Sequence, residues 1–91
     1  MLIDLQLHSS YSDGYLSPTK LVDFVFKNGI KVAALTDHNT LAGLPEFKKA
    51  CSFKKIKAIN GLELYCKYKN KKINILWYNF DEKDEGLIGL L

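Results

Sequence analysis

The chain has 91 residues, of which 47% are hydrophobic and 25% charged, and its formal net charge is +3. That composition belongs to a soluble globular protein, either one small domain or part of a larger one, and excludes a disordered tail. No segment reaches the roughly 18 consecutive apolar residues of a membrane span, and a chain this short buries only about 60 to 65% of its unfolded surface.

The N-terminus, Met1-Leu2-Ile3-Asp4, has no basic stretch and meets a carboxylate at once, so no secretory signal is expected and the location expected is cytoplasmic. Residues 2 to 8 alternate, with Ile3, Leu5 and Leu7 on one side and Asp4, Gln6 and His8 on the other, which predicts a strand ending at His8. Ser9 to Gly14 is a polar loop. Ser17-Pro18 then supplies an N-cap and a proline for the first helical position. In the helix that follows, Lys20, Asp23 and Lys27 share a polar face. Leu21, Val22, Phe24, Val25 and Phe26 are expected to turn inward, and Gly29 to close the helix.

Lys31 to Leu35 reads as a short buried strand that leads into the polar turn Thr36-Asp37-His38-Asn39-Thr40. A second helix is expected at about Leu41 to Ser52, with Leu44, Phe47 and Cys51 inward and Pro45 near its first turn. Ile56 to Ile59 is the third strand, and Gly61 permits a close approach or a bend. Leu62 to Tyr68 and Lys71 to Tyr78 form a hairpin around Lys69-Asn70. The tail from Asp81 to Glu85 is acidic, and Leu87 to Leu91 resembles the start of a helix that the chain cuts off. The order is β-α-β-α-β-β, and strands alternating with helices point to right-handed crossovers in a parallel sheet, open or barrel-like.

Cys51 and Cys66 are too few and too widely spaced for a disulfide framework or a zinc knuckle, so both are expected to be reduced core thiols. The basic residues are 13 lysines and no arginine, nine of the lysines lying between Lys48 and Lys72. A solvated helix and hairpin face accounts for them as well as anion steering does.

Parallel strands are normally apolar on both faces, so the polar stripe Asp4, Gln6, His8 calls for either a wet edge or a purpose. In β/α architectures reactive groups collect where strands end. His8 and Asp13 follow the first strand, Asp37 and His38 the second, and Glu63 the third. Taken singly these have ordinary explanations: a surface histidine, a Ser-Asp-Gly turn, an Asp37 or Asn39 helix cap, a solvated glutamate. Taken together, imidazole nitrogens and carboxylate oxygens at successive strand ends are what divalent zinc, manganese or iron prefer. Such a cluster would activate water against a phosphoester.

Asp4-Leu5-Gln6-Leu7-His8-Ser9-Ser10-Tyr11-Ser12-Asp13-Gly14 resembles the opening motif of the polymerase and histidinol phosphatase (PHP) superfamily, Asp-Leu-His-x-His-Ser-x-x-Ser-Asp-Gly. Leu35-Thr36-Asp37-His38-Asn39-Thr40-Leu41-Ala42-Gly43 resembles its second motif and Gly61-Leu62-Glu63 its third. The match is nearest the stand-alone phosphoesterase branch. What the resemblance implies for the fold is an α/β chain of 1–91 forming the N-terminal β-α-β-α-β-β portion of a distorted (β/α)7 PHP barrel. The portion is expected to be truncated, because a β/α barrel typically takes about 250 residues.

For chemistry, the resemblance implies a metal-dependent phosphoesterase with two or three divalent ions, zinc, manganese, iron or magnesium. His8 would be a ligand of one ion, Glu63 would bridge two, and Asp13 with His38 would hold a third. Asp37 and Glu63 are the expected catalytic carboxylates, while Asp4 and Asp37 would orient imidazoles. The implied partners are a phosphoester small molecule, a nucleotide or short RNA, with no membrane, and self-association through exposed barrel surface is expected. Gln6 stands where the family has the first histidine of its His-x-His pair, and Asn74 where another histidine ligand is usual; neutral amides are weak ligands for these ions. The alternative to the enzyme is therefore a degenerate, inactive remnant acting as a binding or structural module.

Overall fold

Alternating apolar residues at the N-terminus do form a strand, β1 (Leu2–Leu7), in the computed structural model of the protein, which describes residues 1–91. It is followed by α1 (Pro18–Lys27), β2 (Ile30–Leu35), α2 (Leu44–Lys54), β3 (Lys57–Tyr68), β4 (Lys71–Tyr78) and α3 (Glu85–Leu90). The sheet order is β1-β2-β3-β4, with β1, β2 and β3 parallel and β4 antiparallel to β3. The two crossovers carry α1 and α2, as β-α-β units require.

β3 is one strand of 12 residues rather than a short third strand followed by a separate hairpin arm. Lys57 to Asn60 pair with β2, and from Gly61 onward the strand pairs with β4 instead, Gly61 opposite Tyr78 and Tyr68 opposite Lys71. A Cβ at Gly61 would lie 2.7 Å from Thr36 Cγ2 and 2.9 Å from the Leu35 carbonyl oxygen. Glycine is therefore what lets the strand change partners while pressed against β2. The hairpin turns on Lys69 and Asn70, both with positive φ (48° and 63°), the geometry of a two-residue primed turn.

α1 and α2 cover one face of this sheet. Ser17 caps α1 by accepting from the Lys20 N–H, and Leu21, Val22 and Val25 are buried. Phe24 and Phe26, expected inward, are 59% and 43% exposed, because a 10-residue helix lays a single narrow stripe on the sheet and these two positions flank it. Phe26 instead receives the Lys54 ammonium over its ring. α2 starts three residues later than expected, at Leu44 after Gly43, so neither Asp37 nor Asn39 caps it. Thr19 donates from both its backbone N–H and its hydroxyl to the Glu46 carboxylate, which ties α1 to α2.

The core is a cluster centred on Val22, Leu35, Leu44, Phe47 and Cys51. Burial pushes the Cys51 thiol up to about 11, so it stays protonated and inert. Cys66 is unpaired but only half-buried, which corrects the expectation of two core thiols. Asp84 caps α3 by accepting from the Leu87 N–H, and the helix begins at Glu85, two residues ahead of the expected start. No helix is long and apolar enough to cross a membrane.

In a flat sheet β4 would stand about 14 Å from β1, three strand spacings away. Yet the Tyr78 hydroxyl at the end of β4 donates to the Leu5 carbonyl of β1. The sheet is therefore curled into an open half-barrel, and the C-terminal ends of β1 and β2 come to the same rim as the middle of β3. Replacing Gly61 with alanine is expected to cost about 1–3 kcal/mol, the range for overpacking a tight contact; urea denaturation of Gly61→Ala checks it.

Candidate metal centre

Asp37 lies two residues past the end of β2 and is buried, 1% exposed. Its carboxylate accepts the Ser9 backbone N–H at 2.6 Å, the Ser9 hydroxyl at 2.6 Å and the Ser12 hydroxyl at 2.8 Å. Three donors converging on one buried carboxylate replace the water it has lost. They also fix the loop after β1 against the end of β2. Within that loop the Ser12 and Gly14 N–H groups donate to the Ser9 carbonyl.

The segment after β2 is in turn laced to β3. Glu63 N–H donates to the Asp37 carbonyl, Asn39 N–H to the Glu63 carbonyl, and Tyr65 N–H to the Asn39 side-chain oxygen. His38 and Glu63 therefore lie side by side as a parallel bridge. Asn39 takes a positive φ of 51° to turn its amide that way.

These constraints gather the side chains. The His8 and His38 rings stack with centroids 4.5 Å apart, and the Tyr65 ring stacks on the other face of His38 at 4.4 Å. His8 Nε2 is 3.1 Å from Glu63 Oε1, and His38 Nε2 is 3.1 Å from Asp13 Oδ2. His8, His38 and Glu63 each offer a ligand atom within 4.8 Å of the others. Asp13, on the exposed side, approaches both imidazoles. Its Oδ1 is 3.3 Å from His8 Nδ1, but out of line for a hydrogen bond.

A divalent ion suits this donor set. Two imidazoles and two carboxylates are borderline ligands of the kind zinc and manganese take. His8 Nδ1 and His38 Nδ1 are buried without hydrogen-bond partners, where a buried polar atom normally has one.

All four expected ligands, His8, Asp13, His38 and Glu63, thus meet at the rim. Gln6 is there too, its amide nitrogen 3.2 Å from Glu63 Oε1, the same oxygen that faces His8. Asn74 lies on the same face of β4, opposite Tyr65, but is exposed. Asp37 and Asp4 do not orient imidazoles: Asp37 serves the serine loop, and Asp4 accepts from the Gln6 backbone N–H. Sequence reasoning missed Tyr65 and Tyr78. Period two along β3 would have put Tyr65 on the face of Glu63, whereas no local signal announces the Tyr78 contact across the curl. Burial, then the Glu63 and Asp4 charges, raise the Tyr78 phenol above its ordinary value, so it remains a neutral donor.

Residues 4–91 match the PHP domain family. A 5'-3' exoribonuclease of Haemophilus influenzae is 40% identical over 88 residues, which cover 97% of this chain and 32% of the relative. A 3',5'-nucleoside bisphosphate phosphatase of Chromobacterium violaceum is 33% identical, over 93% of this chain and 30% of its own length. Among solved structures, an amidohydrolase from Chromobacterium violaceum with bound sulfate and no metal superposes with a TM-score of 0.94 at 31% identity, over 98% of this chain and 31% of that one. A protein of Bifidobacterium adolescentis, provisionally described as a metal-dependent phosphoesterase, gives 0.89 at 26%, over 96% and 30%. The chain spans about a third of the length of the curated relatives it matches.

Ser9→Ala is expected to destabilise the chain by about 1.5–3 kcal/mol, the worth of a hydrogen bond to a charged group. Ser12→Ala should cost less, because its hydroxyl sits nearer solvent. Urea unfolding of the two variants checks the order.

Proposed function

The chain belongs to the PHP domain family, and from that premise we propose that it forms part of a metal-dependent phosphoesterase acting on phosphate esters of nucleotides or short RNA. The observation that carries this reading is the convergence of His8, His38 and Glu63 within 4.8 Å, with both Nδ1 atoms buried and unpartnered. The relatives named as an exoribonuclease and a nucleoside bisphosphate phosphatase support the substrate class. The structural relative described as a metal-dependent phosphoesterase supports the cofactor class.

In this reading His8, Asp13, His38 and Glu63 hold the ion, and Tyr65 keeps the His38 ring in place by stacking. A divalent ion supplies Lewis-acid charge that activates water and neutralises phosphoryl oxygens. Asp37 acts through the serine loop rather than on the substrate. Tyr78, kept neutral beside Glu63 and Asp4, offers a hydroxyl at the inner edge of the site. Self-association through barrel surface belongs to the same reading, supported by exposed Ile73, Ile75 and Trp77 on β4 and Leu2 and Ile3 on β1.

Gln6 favours the competing reading of an inactive module, since its amide donates to Glu63 where the family has an imidazole ligand. Repair decides between them. Gln6→His with Asn74→His is expected to raise hydrolysis of an aryl phosphate by at least about tenfold in the presence of manganese, the lower end of what changes around a metal site do. Adding His38→Ala should remove the gain. A doubly repaired chain that retains metal through dialysis yet hydrolyses no phosphoester would leave the binding module as the answer.

A further inference from the structure

Beyond the rim, β3 and β4 continue as a two-stranded ribbon, and past Tyr65 and Asn74 its inner face has no role in the candidate metal centre. Residues directly opposite in an antiparallel pair share a face, and so do residues two apart. Glu63, Tyr65 and Lys67 on β3 therefore face the same way as Leu76, Asn74 and Lys72 on β4. The contacts of Glu63 with His8 and of Tyr65 with His38 identify that face as the one looking into the site.

Reading outward from Glu63, the face presents an aromatic ring and then two ammonium groups. At about 3.4 Å per residue, Tyr65 stands about 7 Å and the Lys67–Lys72 pair about 14 Å from Glu63. One face of the Tyr65 ring is taken by His38, and the residue is still 55% exposed. Tyr65, Lys67 and Lys72, with Cys66, line a depression of about 460 Å³.

The lysines are placed at a cost. Lys67 and Lys72 are directly opposite each other, an arrangement in which like charges repel. The ion pairs made by lysines in this chain belong to Lys48 and Lys54, so neither hairpin lysine has a carboxylate to offset the repulsion. An anion lying along the ribbon would offset it. Because the pair is farther from Glu63 than a single phosphate group extends, a phosphate meeting it would be a second one of the same ligand.

We propose that the inner face of the β3–β4 ribbon is a track for a single-stranded polynucleotide, on which Tyr65 stacks a base while Lys67 and Lys72 contact a backbone phosphate away from the reacting one. Stacking on an exposed ring tolerates any base, and lysine contacts read charge alone, so the track selects for chain length rather than sequence. This rests on the phosphoesterase reading of the rim and adds that the substrate is an oligonucleotide rather than a lone nucleotide.

The test is fluorescence anisotropy with a labelled, 5'-phosphorylated tetranucleotide of DNA, titrated at several salt concentrations. Each phosphate contact in a single strand contributes about 0.7 to the slope of log affinity against log salt, so K67Q/K72Q, which removes the contact to one phosphate, should lower the slope by about 0.7. K20Q/K27Q, on α1, should leave it unchanged, and Tyr65→Leu should weaken binding at least about fivefold. If K67Q/K72Q fails to fold, the unaltered chain gives the same answer: its slope for the tetranucleotide should exceed that for the labelled mononucleotide by about 0.7. No binding of the tetranucleotide, an equal loss in both lysine pairs, or a slope independent of oligonucleotide length overturns the track. Slope changes as expected, with no hydrolysis of any phosphoester by the chain carrying Gln6→His and Asn74→His, would overturn the reading of the rim and leave the track standing. Hydrolysis with unchanged slopes would do the reverse.

Discussion

The buried carboxylate of Asp37 is the constraint on which the rest of the rim depends. Removing a carboxylate from water costs several kcal/mol unless donors replace the hydration, and here two serines and a backbone N–H do so at 2.6–2.8 Å. Those donors all belong to the loop after β1, while Asp37 belongs to the segment after β2. Satisfying one charge therefore joins two loops that are far apart in sequence. The stacked pair of His8 and His38 is the result, since each histidine is next to an end of this linkage. The backbone bonds between Asp37, Asn39 and Glu63 then bring the Glu63 carboxylate to the same place.

The change of partner along β3 determines what that rim faces. Before Gly61 the strand completes a parallel sheet covered by α1 and α2, and after it the strand forms a ribbon with β4 that has an inner, polar face. The Tyr78 hydroxyl closes the curl by donating to Leu5, and it can do so only while protonated. Its phenol is raised above the ordinary tyrosine value by burial and then by Glu63 and Asp4. The sign follows: the contribution of this neutral phenol to stability is fully present below the ordinary tyrosine value and is lost as pH rises through the raised one.

Much of this was legible in the amino-acid order, and the reasons differ by element. Period two in residues 2 to 8 and the Ser17-Pro18 start gave strand and helix near their observed bounds, because local sterics and capping decide them. That His8, Asp13, His38 and Glu63 would gather could be expected from strand ends and from the resemblance to the PHP motifs, and the structure brings them to one rim. Phe24 and Phe26 were misplaced because their exposure depends on how much sheet lies beneath a short helix, which no window of sequence reports. From sequence Asp37 is expected to be a catalytic carboxylate, an imidazole partner or a helix cap; its partners in the structure, Ser9 and Ser12, are 28 and 25 residues away and become neighbours only through the parallel pairing of β1 with β2. The role of Gly61 was anticipated as a close approach, and the atoms it approaches, Thr36 and Leu35, came only with the fold.

If the Asp37 carboxylate builds the metal centre, the site should weaken when that charge is removed and nothing that touches the ion is altered. The direct measurement is calorimetric titration of zinc into Asp37→Asn beside the unaltered chain, with circular dichroism confirming that both are folded. The account predicts that the asparagine, unable to accept from all three donors, weakens zinc by at least about tenfold. Zinc bound by the folded variant as tightly as by the unaltered chain would contradict it.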